Sequence, residues 1–581
     1  MILIRRFAIA LAAILILAIA GWFRIRGTLA EPLWLDEAYS AYAAAKGFDF
    51  LWNIVPLYET HPPFYYSLLR LWTLGFGDSL AALRALGIAC GLLTVPVTVL
   101  AAREAARLVR LPAMPVMLAA GLVAALSPAL VEMAREVRPY PVLILVYAAA
   151  LLALIRAARG VEAAGRIPRR PFAAYCACLL LVLWLHNLGP LYAAALGLAS
   201  LLLIARPGLS RRDWALLIGG QALAGLLYLP GLLILIDQAP TWVKSTWLHF
   251  STVNLVPRLA EIYVAQGTKG IVGGCLLLLG AIVLLALRRG GWRLAAALLV
   301  AALLPVAASI ALSLLVAPVF IVRTMTAAAV PSLILIAIGM GGVFGLPGWP
   351  RRIAMVAAGV CLILLAGRMA VIDVRRRASP PMQDWYAAVR WLEQRYRPGD
   401  MVWAYPNEGA LPFDYAVRDL GLRIATRPIP TPIPTLDGGP GAWNPTGSRG
   451  VFSLPADRLA AIADAPDARA VPTIWLLRLG ANAYDKGDHL LDALDRTRVR
   501  VGDCESYPID IIGLARPDVA GPPQIFPEDR VPCEPDDKPP VRHKMKSPPP
   551  RDGDGDRFST KKKRAALSGR RGGPAGAGAA R

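Results

Sequence analysis

Between residues 7 and 371 the chain returns repeatedly to apolar runs long enough to cross a lipid bilayer, and this pattern excludes a water-soluble fold. A spanning helix needs about twenty consecutive apolar residues. Runs near 7–23, 80–101, 113–131, 141–156, 172–186, 189–205, 214–236, 270–287, 294–315, 325–345 and 353–371 meet or approach that length. The pair within 172–205 is short in both halves and is broken by His186-Asn187-Leu188-Gly189-Pro190. The expectation is a polytopic α-helical membrane protein of about eleven transmembrane helices.

Charge supplies an orientation. With the N-terminus placed in the cytoplasm, the segments left inside carry Arg5 and Arg6; Arg103, Arg107 and Arg110; Arg156, Arg159, Arg166, Arg169 and Arg170; Arg206, Arg211 and Arg212; Arg288, Arg289 and Arg293; and Arg351 and Arg352. Every inside segment is basic, which is the positive-inside pattern. An odd number of spans then puts the first loop and everything after residue 371 on the extracytoplasmic side. The first run, ending in Ala18-Ile19-Ala20 before Gly21, also resembles a signal peptide, and cleavage there leaves the first loop outside all the same. The net charge of +22 does not point to nucleic acid, because most of the arginines punctuate apolar segments instead of lining one face.

Beyond residue 371 the period changes. Residues 381–397 have the spacing of an amphipathic helix. Pro398-Gly399-Asp400 turns the chain into a strand at 401–405. Further strands are expected at 473–479, 498–503 and 509–514, with a helix near 485–496 and a Pro, Gly and Thr-rich loop over 427–449. The domains are thus a transmembrane unit over 1–371, a small extracytoplasmic α/β domain over 372–530, and a basic Pro/Gly-rich disordered tail over 531–581. Asp552-Gly-Asp-Gly-Asp556 fails the calcium-loop pattern, with Arg557 where glycine is required and Lys563 where a glutamate is required. Of the seven cysteines, Cys90, Cys176, Cys178, Cys275 and Cys361 lie in apolar runs and are packing residues. Cys504 and Cys533 can pair if their domain faces an oxidising compartment.

Polar chemistry is confined to a few loops. In the first, Asp36 and Glu37 follow Pro32. Neighbours on a helix point about 100° apart, so one carboxylate can face a cavity while the other contacts scaffold; acids at a helix start are the plainer alternative. His61-Pro62-Pro63 then holds an imidazole before the aromatic stretch Phe64–Trp72, which suits a helix in the headgroup layer. The second loop, Glu132 to Tyr140, is short and densely charged. There Arg138, helped by the Tyr140 hydroxyl, either binds phosphate or pairs with Glu132 or Glu136. Arg323 enters the tenth helix as a membrane-edge anchor or a phosphate ligand. A carboxylate that deprotonates a hydroxyl, beside cations that stabilise a departing phosphate, suits group transfer from a lipid phosphate. Neither a Walker lysine motif nor a Gly-rich dinucleotide fingerprint occurs.

In this order, Leu35-Asp36-Glu37-Ala38, His61-Pro62-Pro63-Phe64-Tyr65-Tyr66, Arg135-Glu136-Val137-Arg138-Pro139-Tyr140 and Arg323 resemble the GT-C membrane glycosyltransferases. The likeness is to the bacterial relatives of the protein mannosyltransferases (family 39) and of the aminoarabinose transferases. It covers roughly residues 1–371. The resemblance implies a polyprenyl-phosphate-linked sugar as donor and an extracytoplasmic acceptor: protein, lipid or polysaccharide. It implies an inverting displacement in a multi-pass protein of the bacterial plasma (inner) membrane, in contact with membrane lipids and not with nucleic acid. Asp36 matches the family's catalytic acid and Glu37 its acidic neighbour. His61, Arg138, Tyr140 and Arg323 match donor phosphate-binding positions, although Thr324 follows Arg323 where relatives often carry Tyr. No cofactor is required, and no metal is indicated. The alternatives are a flippase or transporter of lipid-linked saccharides and a surface-glycan polymerase or ligase. Transporters tend to carry charge at the bilayer midplane and repeated halves, neither of which is evident.

Overall fold

The computed structural model describes residues 2–245, 248–435, 454–480, 485, 487–521 and 531–535. The calcium-like stretch Asp552–Asp556, the basic tail beyond 535 and residues 436–449 of the proline-rich loop lie outside the described residues.

The membrane unit is built from α1 (Ile2–Ile25), α4 (Leu80–Leu108), α5 (Ala113–Leu126), α7 (Tyr140–Ala164), α8 (Arg169–Leu185), α9 (Gly189–Ile204), α10 (Arg211–Leu227), α11 (Leu229–Ser245), α13 (Thr268–Ala286), α14 (Gly291–Leu315), α15 (Ala329–Gly342) and α16 (Pro350–Ala378). Among the described residues seven helical stretches are long and apolar enough to span a membrane, or eight if α10 and α11, bent by 53°, act as one. The protein is a multi-pass membrane protein. Each of the expected apolar runs is helical, α10 and α11 together making one, and the runs outside the longer set are the short ones. α5, α8 and α9 have 14, 17 and 16 residues, and Pro112, Ser127-Pro128 and Gly189-Pro190 cut their apolar runs short. α7 and α15 form the centre, and almost all of α15 is buried.

Proline inside a membrane helix frees a carbonyl that lipid cannot satisfy. Pro305 in α14 leaves the Ala301 carbonyl without its helical donor, and the Tyr147 hydroxyl of α7 donates to it at 2.7 Å. The Tyr263 hydroxyl donates to the next carbonyl, Ala302, at 2.9 Å.

Charges sort to the two ends of the bundle. At one end Arg159 pairs with Glu104, Arg206 pairs with Glu162, Arg293 donates to the Ala205 carbonyl, and Arg288 donates to the Gly345 carbonyl at 3.1 Å. At the other end lie α2 (Leu35–Lys46), α3 (Phe64–Phe76), α6 (Pro128–Met133) and α12 (Leu255–Tyr263). There α16 runs on to Ala378, past the expected end of the apolar run, because Arg376 near its end pairs with Glu132 at 3.1 Å and also with Glu261.

The C-terminal domain sits on this second end. It comprises α17 (Trp385–Glu393), β1 (Met401–Tyr405), α18 (Ala410–Asp419), β2 (Thr426–Pro428), α19 (Ala456–Asp464), α20 (Pro466–Ala470), β3 (Thr473–Leu479), α21 (His489–Asp495), β4 (Val499–Ser506) and β5 (Ile509–Ala515). The sheet order is β2-β1-β3-β5-β4. β1 is parallel to β2 and β3, and β5 is antiparallel to β3 and β4. β2 takes the first residues of what the sequence suggested was all loop, with Trp403 of β1 opposite Arg427. Cys504 and Cys533 form a disulfide.

Two glycines of α4 bring the loop between α6 and α7 onto that helix. A Cβ at Gly91 would lie 2.4 Å from the Ala134 Cβ, and one at Gly87 would lie 2.8 Å from the Ala134 carbonyl. Gly91→Leu should therefore destabilise the protein by about 1–3 kcal/mol, the usual range for overpacking, read as a lowered thermal midpoint in detergent. An unchanged midpoint would mean that the loop does not rest on α4.

Candidate active site

The first loop returns into α2, whose start carries the acidic pair. Glu37 is 1% exposed. Its Oε2 accepts from Arg84 Nη2 of α4 at 3.0 Å and from the Trp34 backbone N–H at 3.3 Å. Its Oε1 accepts from the Val137 backbone N–H at 2.9 Å. One carboxylate thus joins α2, α4 and the α6–α7 loop. Arg84 reaches further, donating to the Arg135 carbonyl at 2.7 Å and to the Pro32 carbonyl at 3.3 Å. Burial pushes the Glu37 carboxyl up, against the Arg84 charge and the two backbone N–H groups.

One residue earlier, Asp36 points elsewhere. Its side chain is 17% exposed, and its Oδ2 lies 3.8 Å from Arg138 Nη2 and 3.6 Å from Arg323 Nη2. Arg138 is buried and also donates to the Asp36 carbonyl at 3.4 Å and to the Ser40 hydroxyl at 3.5 Å. It lies 5.9 Å from the centre of the Tyr140 ring, at the start of α7. Arg323 opens the short helical turn Arg323–Ala328 and stacks 4.8 Å over the Trp34 ring. Two guanidinium groups from distant parts of the chain therefore converge on one accessible carboxylate. Arg135, by contrast, is scaffold: it donates to the Arg26 carbonyl and to Glu31, both at 2.7 Å.

His61 forms the adjoining wall. Glu59 Oε1 accepts from the His61 backbone N–H at 3.2 Å and meets His61 Nδ1 at 2.9 Å. The His61 ring packs edge-on against His186, centroids 4.8 Å apart, and His186 in turn lies 5.7 Å from the Tyr140 ring. Asp36, Glu37, His61, Arg138, Tyr140 and Arg323 thus occupy one region, with Glu37 facing scaffold and the others grouped around Asp36 and the two histidines. Among the described residues no group of three or more His, Cys, Asp or Glu is arranged to hold a metal ion.

Sequence reasoning missed Arg84, Glu59 and His186. Arg84 had a signal: an arginine within an apolar run is costly unless it is paired. His186 and Asn187 had one too, as polar residues at the break of a membrane hairpin. Gln383 had none. Its side-chain oxygen accepts from the Leu35 backbone N–H of α2 and from Trp385 Nε1, each at 3.1 Å. Tyr42 of α2 donates to the Ile433 carbonyl at 2.8 Å. The C-terminal domain therefore holds the helix that carries Asp36.

No protein-family description matches the sequence, and no curated protein matches it by sequence. The fold is similar to that of solved structures. ArnT from Cupriavidus metallidurans in the apo state superposes with a TM-score of 0.54 at 12% identity, covering 89% of this chain and 98% of that one. The same protein bound to undecaprenyl phosphate gives 0.51 at 13% identity, covering 89% and 99%. The oligosaccharyltransferase of Archaeoglobus fulgidus in the apo form gives 0.50 at 12% identity, covering 90% and 75%. The fold of this chain is similar to the fold of those GT-C membrane enzymes, and it carries a small C-terminal sheet.

Two outcomes follow from the packing around Asp36. Removing one partner of a buried ion pair strands the other charge, a loss of about 3–5 kcal/mol. Glu37→Ala should lose that much in thermal unfolding, and Glu37→Leu combined with Arg84→Met should recover most of it; equal losses in single and double variants would show that the pair does not join the helices. Glu136, in the α6–α7 loop, has a buried Oε2 without a partner among the described residues. Burial pushes its carboxyl from 4.5 up to about 8. The folded protein holds that proton where the unfolded chain has lost it, so this group's contribution to stability is greatest below about pH 4.5 and falls as pH rises to about 8. Glu136→Gln should remove the decline, gaining on the parent as pH rises; parallel stability curves would contradict it.

Proposed function

We propose that this protein is an integral membrane glycosyltransferase that moves a sugar from a polyprenyl-phosphate donor to an extracytoplasmic acceptor hydroxyl, with inversion. The observation that carries the reading is the accessible Asp36 carboxylate with Arg138 and Arg323 directed at it, 3.8 and 3.6 Å away, in the fold of an enzyme solved with undecaprenyl phosphate. Asp36 is the general base. It takes the proton of the acceptor hydroxyl as that oxygen bonds to the anomeric carbon and the bond from that carbon to the phosphate oxygen breaks. A single displacement inverts the centre. The polyprenyl phosphate departs with the electron pair, and Arg138, Arg323 and His61 stabilise its charge, with Tyr140 beside Arg138.

The arginines couple donor loading to the base. While both guanidinium groups face Asp36, its negative charge is partly neutralised. A donor phosphate drawn to the same two groups takes up their charge and leaves the carboxylate to the acceptor. Glu37 does not touch the reacting atoms; through Arg84 and Val137 it positions Asp36.

The orientation belongs to the same reading: N-terminus cytoplasmic, C-terminus extracytoplasmic, in a bacterial plasma membrane. The disulfide between Cys504 and Cys533 suits an oxidising compartment, and the arginine-rich loops gather at the opposite end. So does the division into a catalytic unit over 1–371, an extracytoplasmic domain over 372–530 and a tail over 531–581. Charges kept to the two ends of the bundle, with the Asp36 cluster at one of them, favour transfer chemistry over transport across the midplane.

Asp36→Asn should lower the transfer rate by at least about 10²-fold, the scale of a lost general base, while polyprenyl phosphate binds at least as tightly as in the parent, because the two arginines lose the carboxylate that competes for them. The assay is release of polyprenyl phosphate from labelled lipid-linked sugar by membranes containing the protein. Undiminished turnover in the variant would overturn the assignment of Asp36.

A further inference from the structure

At the break between α8 and α9, His186 and Asn187 carry polar atoms that the proposed transfer does not use. His186 is 1% exposed. Its Nδ1 accepts from the Leu188 backbone N–H at 3.0 Å. That bond assigns the lone pair to Nδ1 and the proton to Nε2. The Nε2 atom is buried and has no hydrogen-bond partner among the described residues. With its Nδ1 lone pair accepting that bond, the ring is a neutral N–H donor at Nε2.

Asn187 supplies the complementary atom. Its Nδ2 donates to the Thr60 hydroxyl at 3.2 Å; that hydroxyl gives its own proton to Glu59 Oε1 at 3.5 Å, and this sets the orientation of the amide. Its Oδ1 is then a buried acceptor, likewise without a partner among the described residues. An unpaired buried polar atom is costly, and here two of opposite sense sit on consecutive residues against the Thr60-His61 wall of the site.

We propose that this break is a sugar-recognition subsite, in which His186 Nε2–H donates to, and Asn187 Oδ1 accepts from, hydroxyl groups of the sugar being transferred. A hydroxyl is the ligand that both gives and accepts a hydrogen bond. A phosphate oxygen fits the pair poorly: the Asn187 oxygen repels it, the neutral imidazole brings no charge, and two guanidinium groups already serve it. The inference rests on the glycosyltransferase reading and adds the residues that select the sugar. A site built to hydrogen-bond a substrate hydroxyl rejects analogues lacking it far more strongly than an apolar pocket does.

The test uses the full-length protein in lipid nanodiscs and measures affinity for undecaprenyl phosphate and for a panel of undecaprenyl-phosphate monosaccharides differing in hydroxyl configuration. The parent protein should prefer at least one sugar-bearing lipid over the bare lipid. His186→Phe and Asn187→Leu should each erase that preference by about 10-fold or more, with bare-lipid affinity held within about twofold as the sign of an intact fold. His186→Gln, which restores an N–H donor at a similar reach, should recover much of it. Equal weakening of bare and sugar-bearing lipids would assign His186 to the phosphate and overturn the inference, as would full preference in both His186→Phe and Asn187→Leu. A parent protein that binds the bare lipid and every sugar-bearing lipid alike overturns the subsite alone. One that binds none of them overturns the proposed function itself.

Discussion

The buried pair of Glu37 and Arg84 is the constraint on which the rest of the site depends. Two opposite charges taken out of water are tolerated when their remaining hydrogen bonds are met. Here the Val137 and Trp34 backbone N–H groups meet Glu37, and the Arg135 and Pro32 carbonyls meet Arg84. Four separate parts of the chain are fixed by one pair: the start of α2, the approach to it, the membrane helix α4 and the α6–α7 loop. With Glu37 turned inward, the helical step of about 100° turns its neighbour Asp36 toward the arginines.

The surrounding structure serves the same alignment. Gly87 and Gly91 let the loop that carries Val137 and Arg138 rest on α4. Tyr147 satisfies the carbonyl that Pro305 frees, so α14 holds its proline within the bundle without an orphaned polar group. From above, Gln383 holds the first turn of α2, itself oriented by Trp385. The C-terminal domain is therefore part of the machinery that sets the position of Asp36.

Much of this was legible in the sequence, and the limits have physical causes. Apolar length and arginine placement revealed a membrane bundle with its charges at two ends, because both follow from the cost of polar groups in hydrocarbon. Strands β1, β3, β4 and β5 were visible as runs of β-branched and aromatic residues between turns. The three-residue β2 was hidden in a proline-rich stretch, since its pairing is supplied by β1 and not by its own pattern. Asp36 and Arg138 stood out by type and place. Their relation to Arg323 was not derivable from spacing, because nearly three hundred residues separate that arginine from Asp36 and helix packing alone brings the two together. Gln383 was invisible for a similar reason: what distinguishes it is the Leu35 backbone N–H donated to it from a distant part of the chain, and sequence does not display that.

The account's central claim is that Arg138 and Arg323 exchange the Asp36 carboxylate for a donor phosphate. The most direct measurement is an experimental structure of the protein in nanodiscs saturated with undecaprenyl phosphate. The account predicts phosphate oxygens within hydrogen-bonding distance of both guanidinium groups, with Asp36 turned from them toward the accessible side and the Glu37–Arg84 pair intact. A phosphate bound elsewhere, with both arginines still directed at Asp36, would contradict it.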